Sequence, residues 1–445
     1  MSAISEKIGV SAISEKIGVS AISEKIGPRS TEGAAPPPRQ LLGRRRVLAL
    51  SGLLLAVEIA CFLFFVAGTH GLIVPLAKPT STDFVSFYAA GSLADAGTPQ
   101  LTYDRSAHYA AEERATQPGI VYNFFYYPPV FLMLCAALAR LPYLVAFVVF
   151  EATTLALYVA VSCRILGRQG WAMLVPILAF PPVLWTIGLG QNAFLTAGLF
   201  GAATLLVDRR PVAAGFLFGA LCCKPHLALL VPVALASGGR WRAFLAAGGT
   251  AVAFGLLSLV LFGVETWRAF LTDLSVAHGV YASGRIPFAA FVTPFGAIRL
   301  LGGDATVAGL VQAGASIGAA SFVAWVWRRN RPLPLRAASL VSATLIAVPL
   351  ALFYDLLLAG IAGAWLLRGE RARCLPSWGA PVLAALYVMS LDPRGLAMAS
   401  HLPVGSLVAA ALAVLVAVLA VRDRRTPEAG ATATAASHRL TKAAG

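Results

Sequence analysis

RRRVLALSGLLLAVEIACFLFFV, running from Arg44 to Val66, decides the fold. Three arginines open the stretch, and from Val47 onward it is overwhelmingly apolar. A helix needs roughly 20 such residues to cross a bilayer. The stretch therefore reads as a spanning helix whose triple-Arg start is cytoplasmic and whose end faces out. Similar runs recur near 130–139, 143–163, 171–187, 191–207, 243–263, 305–327, 337–350, 352–367, 378–390 and 404–421. With broken helices allowed, the pattern predicts an all-α polytopic membrane protein. It should have about ten to twelve transmembrane helices, a long first outer loop, and both ends in the cytoplasm.

Composition agrees. The chain has 445 residues, 58% of them hydrophobic and 12% charged, where a soluble protein carries about a quarter charged. The short alternating segments of a membrane barrel are absent. The net charge of +15 sits in clusters between apolar runs: Arg44-Arg45-Arg46, Arg164 with Arg168, Arg209-Arg210, Arg240 with Arg242, Arg328-Arg329 with Arg331, Arg368 with Arg371 and Arg373, and Arg422 with Arg424-Arg425. That distribution reports topology, so no nucleic-acid partner is expected. None of the 6 cysteines has metal-ligand spacing; neither a metal nor a cofactor is expected. Three copies of Ser-Ala-Ile-Ser-Glu-Lys-Ile-Gly begin at Ser2, Ser11 and Ser20. Residues 1–43 are expected to be a disordered cytoplasmic tail, 44–425 the transmembrane domain, and 426–445 a second disordered tail.

The longest polar stretch, from about Thr69 to Asn123, holds Asp83, Asp95, Asp104, Glu112 and Glu113, a large share of the chain's 20 acids. Asp83 opens a segment, through Tyr88 to Ala90, with the pattern of an amphipathic helix lying along the membrane surface. A carboxylate at the mouth of an apolar bundle suits a general base. It equally suits a helix cap or an ion pair. Tyr126-Tyr127-Pro128-Pro129 leads back into the bilayer, with proline at the helix start where its missing N–H costs nothing. Val212 to Ser237 is too short for two spans, although basic clusters flank both sides. It reads as a helical hairpin with Lys224 near its tip. A second outward excursion, Glu265 to Pro287, carries Trp267, Asp273, His278, Tyr281 and Arg285. Gln191 and Asn192 sit on a third outward tip, and Tyr354-Asp355 places an acid in an apolar run, a functional signal by default. Bland readings stand beside each: Lys224 snorkelling to headgroups, Asp355 as a structural acid, His278 and Arg285 as solvated loop residues, His226 as a core histidine, Gln191 and Asn192 as helix caps, and Asp104 as a cap. Walker, dinucleotide, HExxH and G-x-S-x-G signatures are all missing, so a group donor would have to reach the site through the membrane.

Several marks occur in a characteristic order: Asp83-Phe84 with Tyr88 and Ala89-Ala90, Gly97 before Leu101-Thr102-Tyr103-Asp104, Phe125-Tyr126-Tyr127-Pro128-Pro129, Gly190-Gln191-Asn192, Gly215 with Lys224-Pro225, and Tyr354-Asp355. Over roughly residues 47–421 the chain resembles glycosyltransferase family 87, a GT-C group that includes polyprenol-phosphate-mannose-dependent mannosyltransferases. The resemblance implies a GT-C bundle in the cell inner (plasma) membrane, with its active site facing the periplasm or exterior. It implies inverting transfer of a hexose, with mannose favoured by family analogy, from a polyprenyl-phosphate donor to a lipid or glycan acceptor. Asp83 matches the first-loop catalytic acid. Phe84 follows it where some relatives carry a second acid, which favours a lone base over a metal bridge. Lys224 and Arg285 are the candidates for the donor phosphate. Tyr88, Tyr127, Gln191, Asn192, His278, Tyr354 and Asp355 are the candidates for the sugar and acceptor pocket. The competing class is a polyprenyl-lipid or small-solute transporter using the same intramembrane Lys and Asp without chemistry. A structural assembly subunit is a third class. Label transfer against label translocation separates the first two.

Overall fold

The computed structural model describes residues 43–70, 73–74, 79–167, 170–368 and 375–423. The tandem repeat and the tail after Asp423 lie outside the described residues. The described chain is helical, and its only β pairs are isolated bridges such as Phe291 with Leu352. In order, the helices are α1 (Arg44–Ala67), α2 (Phe84–Asp95), α3 (Arg105–Ala115), α4 (Pro129–Ala139), α5 (Tyr143–Leu166), α6 (Leu174–Leu178), α7 (Pro182–Leu189), α8 (Ala193–Leu206), α9 (Pro211–Ala220), α10 (Val231–Ser237), α11 (Trp241–Ala282), α12 (Pro294–Leu300), α13 (Ala305–Arg328), α14 (Leu333–Ala347), α15 (Leu357–Leu366), α16 (Gly379–Met389), α17 (Pro393–Ser400) and α18 (Val404–Arg422).

Five of these are long and apolar enough to cross a membrane, or seven spans if each of two bent pairs counts as one. Six more apolar helices are only 10–17 residues long. The sequence count of ten to twelve allowed for broken helices, and the structure shows where the breaks fall. Proline shortens the apolar runs: Pro181 and Pro182 break the 171–187 run, and α7 turns 62° from the α6 segment. Pro393 starts α17 at 82° to α16. Ring closure removes the N–H and blocks the preceding turn. The 212–237 stretch is a hairpin of α9 and α10 joined by two short 3₁₀ turns, with Lys224 between them. Both of its ends meet at Arg240 and Asp208, 2.8 Å apart. At Gly215 an added Cβ would lie 2.4 Å from the Ala243 carbonyl. Its absence lets α9 lie directly on α11, as small residues do between membrane helices.

Two expectations change. Glu265–Ala282 is helix rather than loop: α11 runs past a kink at Gly263 (φ 76°, ψ 167°), where the apolar run ends. Moreover, α2 is covered by protein on more than one face. Phe84, Val85, Ser86, Phe87, Ala89 and Ala90 are all buried, because α3, α4 and the 120s segment cover α2. Ser86 Oγ donates to the Phe124 carbonyl (3.1 Å) and Tyr88 OH to the Leu141 carbonyl (2.9 Å). The interior proper is built on α14, buried along most of its length against α13, α15 and α18. Leu245, Val252, Leu256 and Val260 of α11 remain exposed, an apolar surface of the kind that lipid covers.

Candidate active site

Asp83 sits at the entrance of α2 with φ −62° and ψ −18° and makes no side-chain bond to that helix. Its Oδ2 instead accepts from Gln191 Nε2 at 2.7 Å. Gln191 Oε1 faces Tyr127 OH at 3.4 Å. The contact depends on Gly190, which ends α7 in the left-handed region (φ 67°, ψ 42°). A Cβ there would lie 2.6 Å from Phe84 Cβ, so glycine supplies both the turn and the close approach to α2. Asp83 is half-buried. Burial is the largest influence on its carboxyl and raises its pKa above 3.8, while the Gln191 bond and the positive charge of Arg394 pull it back. Arg394 is exposed on α17. Next to Gln191, Asn192 is fully buried, and neither side-chain amide atom has a hydrogen-bond partner among the described residues. Such an orphaned amide is costly in an ordinary core.

Behind Asp83 lies a second carboxyl. Glu112 Oε2 accepts from the Asn123 N–H at 3.1 Å, and its Oε1 is 3.7 Å from His108 Nδ1. Both side chains are fully buried. The spacing is that of an ion pair, but burial pushes Glu112 up to about 8, with the Asp83 charge adding to the rise, and takes His108 down to about 4. Near neutral pH this is a contact between two uncharged groups.

Lys224 Nζ is 2.7 Å from Asp355 Oδ1, with both side chains buried, and 5.2 Å from the Tyr354 ring centroid. Asp355 Oδ2 accepts from the Leu352 N–H at 3.0 Å. Lys224 therefore meets an acid of a distant segment and does not snorkel. Asp355 belongs to the turn Phe353–Leu356, and Phe353 packs edge-on against Trp185 of α7. Trp185 Nε1 in turn donates to the Leu391 carbonyl at 2.7 Å, just ahead of α17 and Arg394. Phe84, Phe87, Phe131 and Cys223 share one buried cluster. Asp83 and Lys224 are the immediate chain neighbours of its members Phe84 and Cys223.

The structure thus groups Asp83, Tyr127, Gln191 and Asn192, and separately pairs Lys224 with Asp355 over Tyr354. Tyr88 packs against Phe84 and Tyr143. Arg285 is exposed, and its charge acts on Tyr126. His278 falls near the end of α11, and its side chain lies outside the described residues. Asp104 caps α3, accepting from the Ala107 N–H at 2.9 Å. Arg394, Trp185 and the His108–Glu112 contact escaped the sequence reading. A signal for Arg394 exists in Asp392-Pro393-Arg394, where Asp392 caps α17 through the Gly395 N–H and an acid-Pro-Arg triplet interrupts an apolar region.

The model of glycosyltransferase family 87 matches residues 125–352, just over half of the chain. Tyr127, Gln191, Asn192 and Lys224 fall inside the match; Asp83, Asp355 and Arg394 fall outside it. No curated protein and no solved structure matches the chain.

Proposed function

The chain belongs to glycosyltransferase family 87, and we propose that it transfers a hexose from a polyprenyl-phosphate donor to an acceptor hydroxyl with inversion, Asp83 acting as general base. The observation that carries this reading is the half-buried Asp83 carboxylate, aimed by Gln191 at 2.7 Å, beside the unpaired Asn192 amide and within the field of Arg394. The acceptor oxygen forms a bond to the anomeric carbon as the bond from that carbon to the phosphate oxygen breaks. Asp83 takes the hydroxyl proton, and the polyprenyl phosphate leaves with the electron pair. General-base assistance of this kind contributes a factor of about 10²–10⁴. Charge growing on the departing phosphate requires a cation. Arg394 is the exposed one that acts on Asp83; Lys224, paired with Asp355, and the exposed Arg285 are the further candidates. Asn192 and Tyr127 are suited to the sugar hydroxyls.

A donor carried by lipid fits a chain whose described residues form one helical bundle. Mannose is the first donor to test. The outer membrane face is inferred from the basic ends of the spans. The test is reconstitution with radiolabelled polyprenyl-phosphate mannose and glycan or lipid acceptors. Transfer should fall about 10²–10⁴-fold in Asp83→Asn. Equal transfer by Asp83→Asn and wild type removes Asp83 as base, and label crossing the bilayer without transfer replaces the enzyme by a carrier.

A further inference from the structure

We propose that Tyr122, Phe124 and Tyr126 form a stacking platform for a saccharide acceptor, a substrate class that rests on the transferase reading. The three rings alternate with Phe125 and Tyr127, which pack with Phe131 and Phe87 in the core. The platform rings are partly buried, each with an accessible edge. Tyr122 and Phe124 are 4.9 Å apart edge to face, and Phe124 and Tyr126 lie 5.3 Å apart at 11°, nearly parallel. The Arg105 guanidinium sits 5.1 Å from the Tyr122 centroid and 5.3 Å from that of Phe124. Arg105 and Tyr122 also line an open cleft of about 830 Å³ with Asp104, Ser106 and Tyr109. Asp273, from the far half of α11, acts on both Tyr122 and Tyr126.

The mixture selects the ligand. A pyranose has an apolar C–H face that stacks on rings and a rim of hydroxyls that both donate and accept. Arg105, over two of the rings, can donate, and the Asp273 carboxyl, whose charge bears on Tyr122 and Tyr126, can accept. A polyprenyl chain would use the rings but leave those charges without a partner, and a lone phosphate would use Arg105 and Arg285 but leave the rings without one. Tyr127, next in the chain after Tyr126, faces the core side and reaches Gln191, which holds Asp83, so the platform and the base are carried by one short segment.

The test uses the full chain in nanodiscs, titrated with mannotetraose, maltotetraose and galactotetraose, and separately with farnesyl phosphate. At least one oligosaccharide should bind. Phe124→Ala and Tyr126→Ala should weaken it about tenfold, the usual scale for losing one stacked ring. Phe124→Trp should retain binding, which separates stacking from folding. Arg105→Gln, on the solvent side of the rings, should weaken it as well. Farnesyl phosphate binding should stay unchanged in all four. Failure of all three oligosaccharides to bind wild type overturns the platform, as do ring variants that bind like wild type or that lose farnesyl phosphate instead. Asp83→Asn is read in the transfer assay alone. Full transfer by that variant would sink the catalytic reading and leave the platform standing, whereas loss of saccharide binding in the ring variants alone bears only on the platform.

Discussion

At Asp83 the chemistry depends on a balance between burial, which favours the protonated acid, and two neighbours that favour the carboxylate. A general base must be ionised. Arg394 lowers the Asp83 pKa, so removing its charge raises that pKa and moves the acidic limb of the kcat/KM profile to higher pH. Arg394→Gln should show this shift and lose about a hundredfold on the plateau through loss of the proposed phosphate contact, while Arg394→Lys keeps the limb in place. An unmoved limb in Arg394→Gln would disconnect the two residues. The Glu112–His108 contact gives a stability signature of its own. Between pH 4.5 and about 8 folded Glu112 holds a proton that the unfolded chain has lost, so stability falls as pH rises through that window. Between about 4 and 6.5 unfolded His108 is protonated and folded His108 is not, so stability rises with pH there. Glu112→Gln should therefore gain in thermal stability relative to wild type as pH goes from 4.5 to 8, by on the order of a few kcal/mol. A pH-independent difference between the two proteins would show that Glu112 is ionised in the fold.

At the scale of elements, the α9–α10 hairpin carries Lys224 to the Phe353–Leu356 turn and forms a buried ion pair there. Removing one partner of such a pair costs about 3–5 kcal/mol, whereas neutralising both is far less damaging. Lys224→Met should thus lower the melting temperature sharply. Lys224→Met with Asp355→Asn should recover most of it, because Asn can still accept from the Leu352 N–H. The double variant should fold yet transfer poorly; wild-type transfer would reduce the pair to a structural role. The hairpin, its lysine tip and the end of the apolar run at 263 were legible in sequence, since apolar length and Gly and Pro placement are local properties, whereas the helix beyond the Gly263 kink was not. Asp83 with Gln191 was legible as two outward polar tips, although their bond spans 108 positions. The Lys224–Asp355 pairing, across 131 positions, was not, because nothing local encodes which buried acid meets which buried base. Nor was the burial of α2. Its sequence reads as one-faced only if no other segment covers it, and the covering 120s segment was read simply as loop. Arg394 escaped notice because it falls between the apolar runs 378–390 and 404–421, where no local pattern marks α17 as a helix turned 82° from α16.

The whole molecule is polarised. Arg368 Nη1 donates to the Ile165 carbonyl at 2.7 Å, and the Arg209 charge acts on Arg368. Asp208 binds both Arg240 and Arg336, Arg240 reaches Asn330, and Arg331 donates to the Asp423 carbonyl. Basic clusters from five separate connections thus meet at one end of the bundle. The Asp83 segment, the aromatic 122–127 stretch and the far half of α11 gather elsewhere, where Tyr103 and Phe270 rings stand 5.6 Å apart. Lys and Arg near helix ends are retained on the cytoplasmic side, so the arginine end should face the cytoplasm and the Asp83 end the outside. Single cysteines in a cysteine-free background decide this. Pro118→Cys and Pro287→Cys, both exposed, should react with a membrane-impermeant maleimide in intact cells. Arg210→Cys and Asn330→Cys, also exposed, should react only after permeabilisation. Labelling of all four in intact cells, or of the second pair alone, would invert or dissolve the orientation. A lipid-linked donor would then have to present its sugar on the cytoplasmic side for Asp83 to reach it.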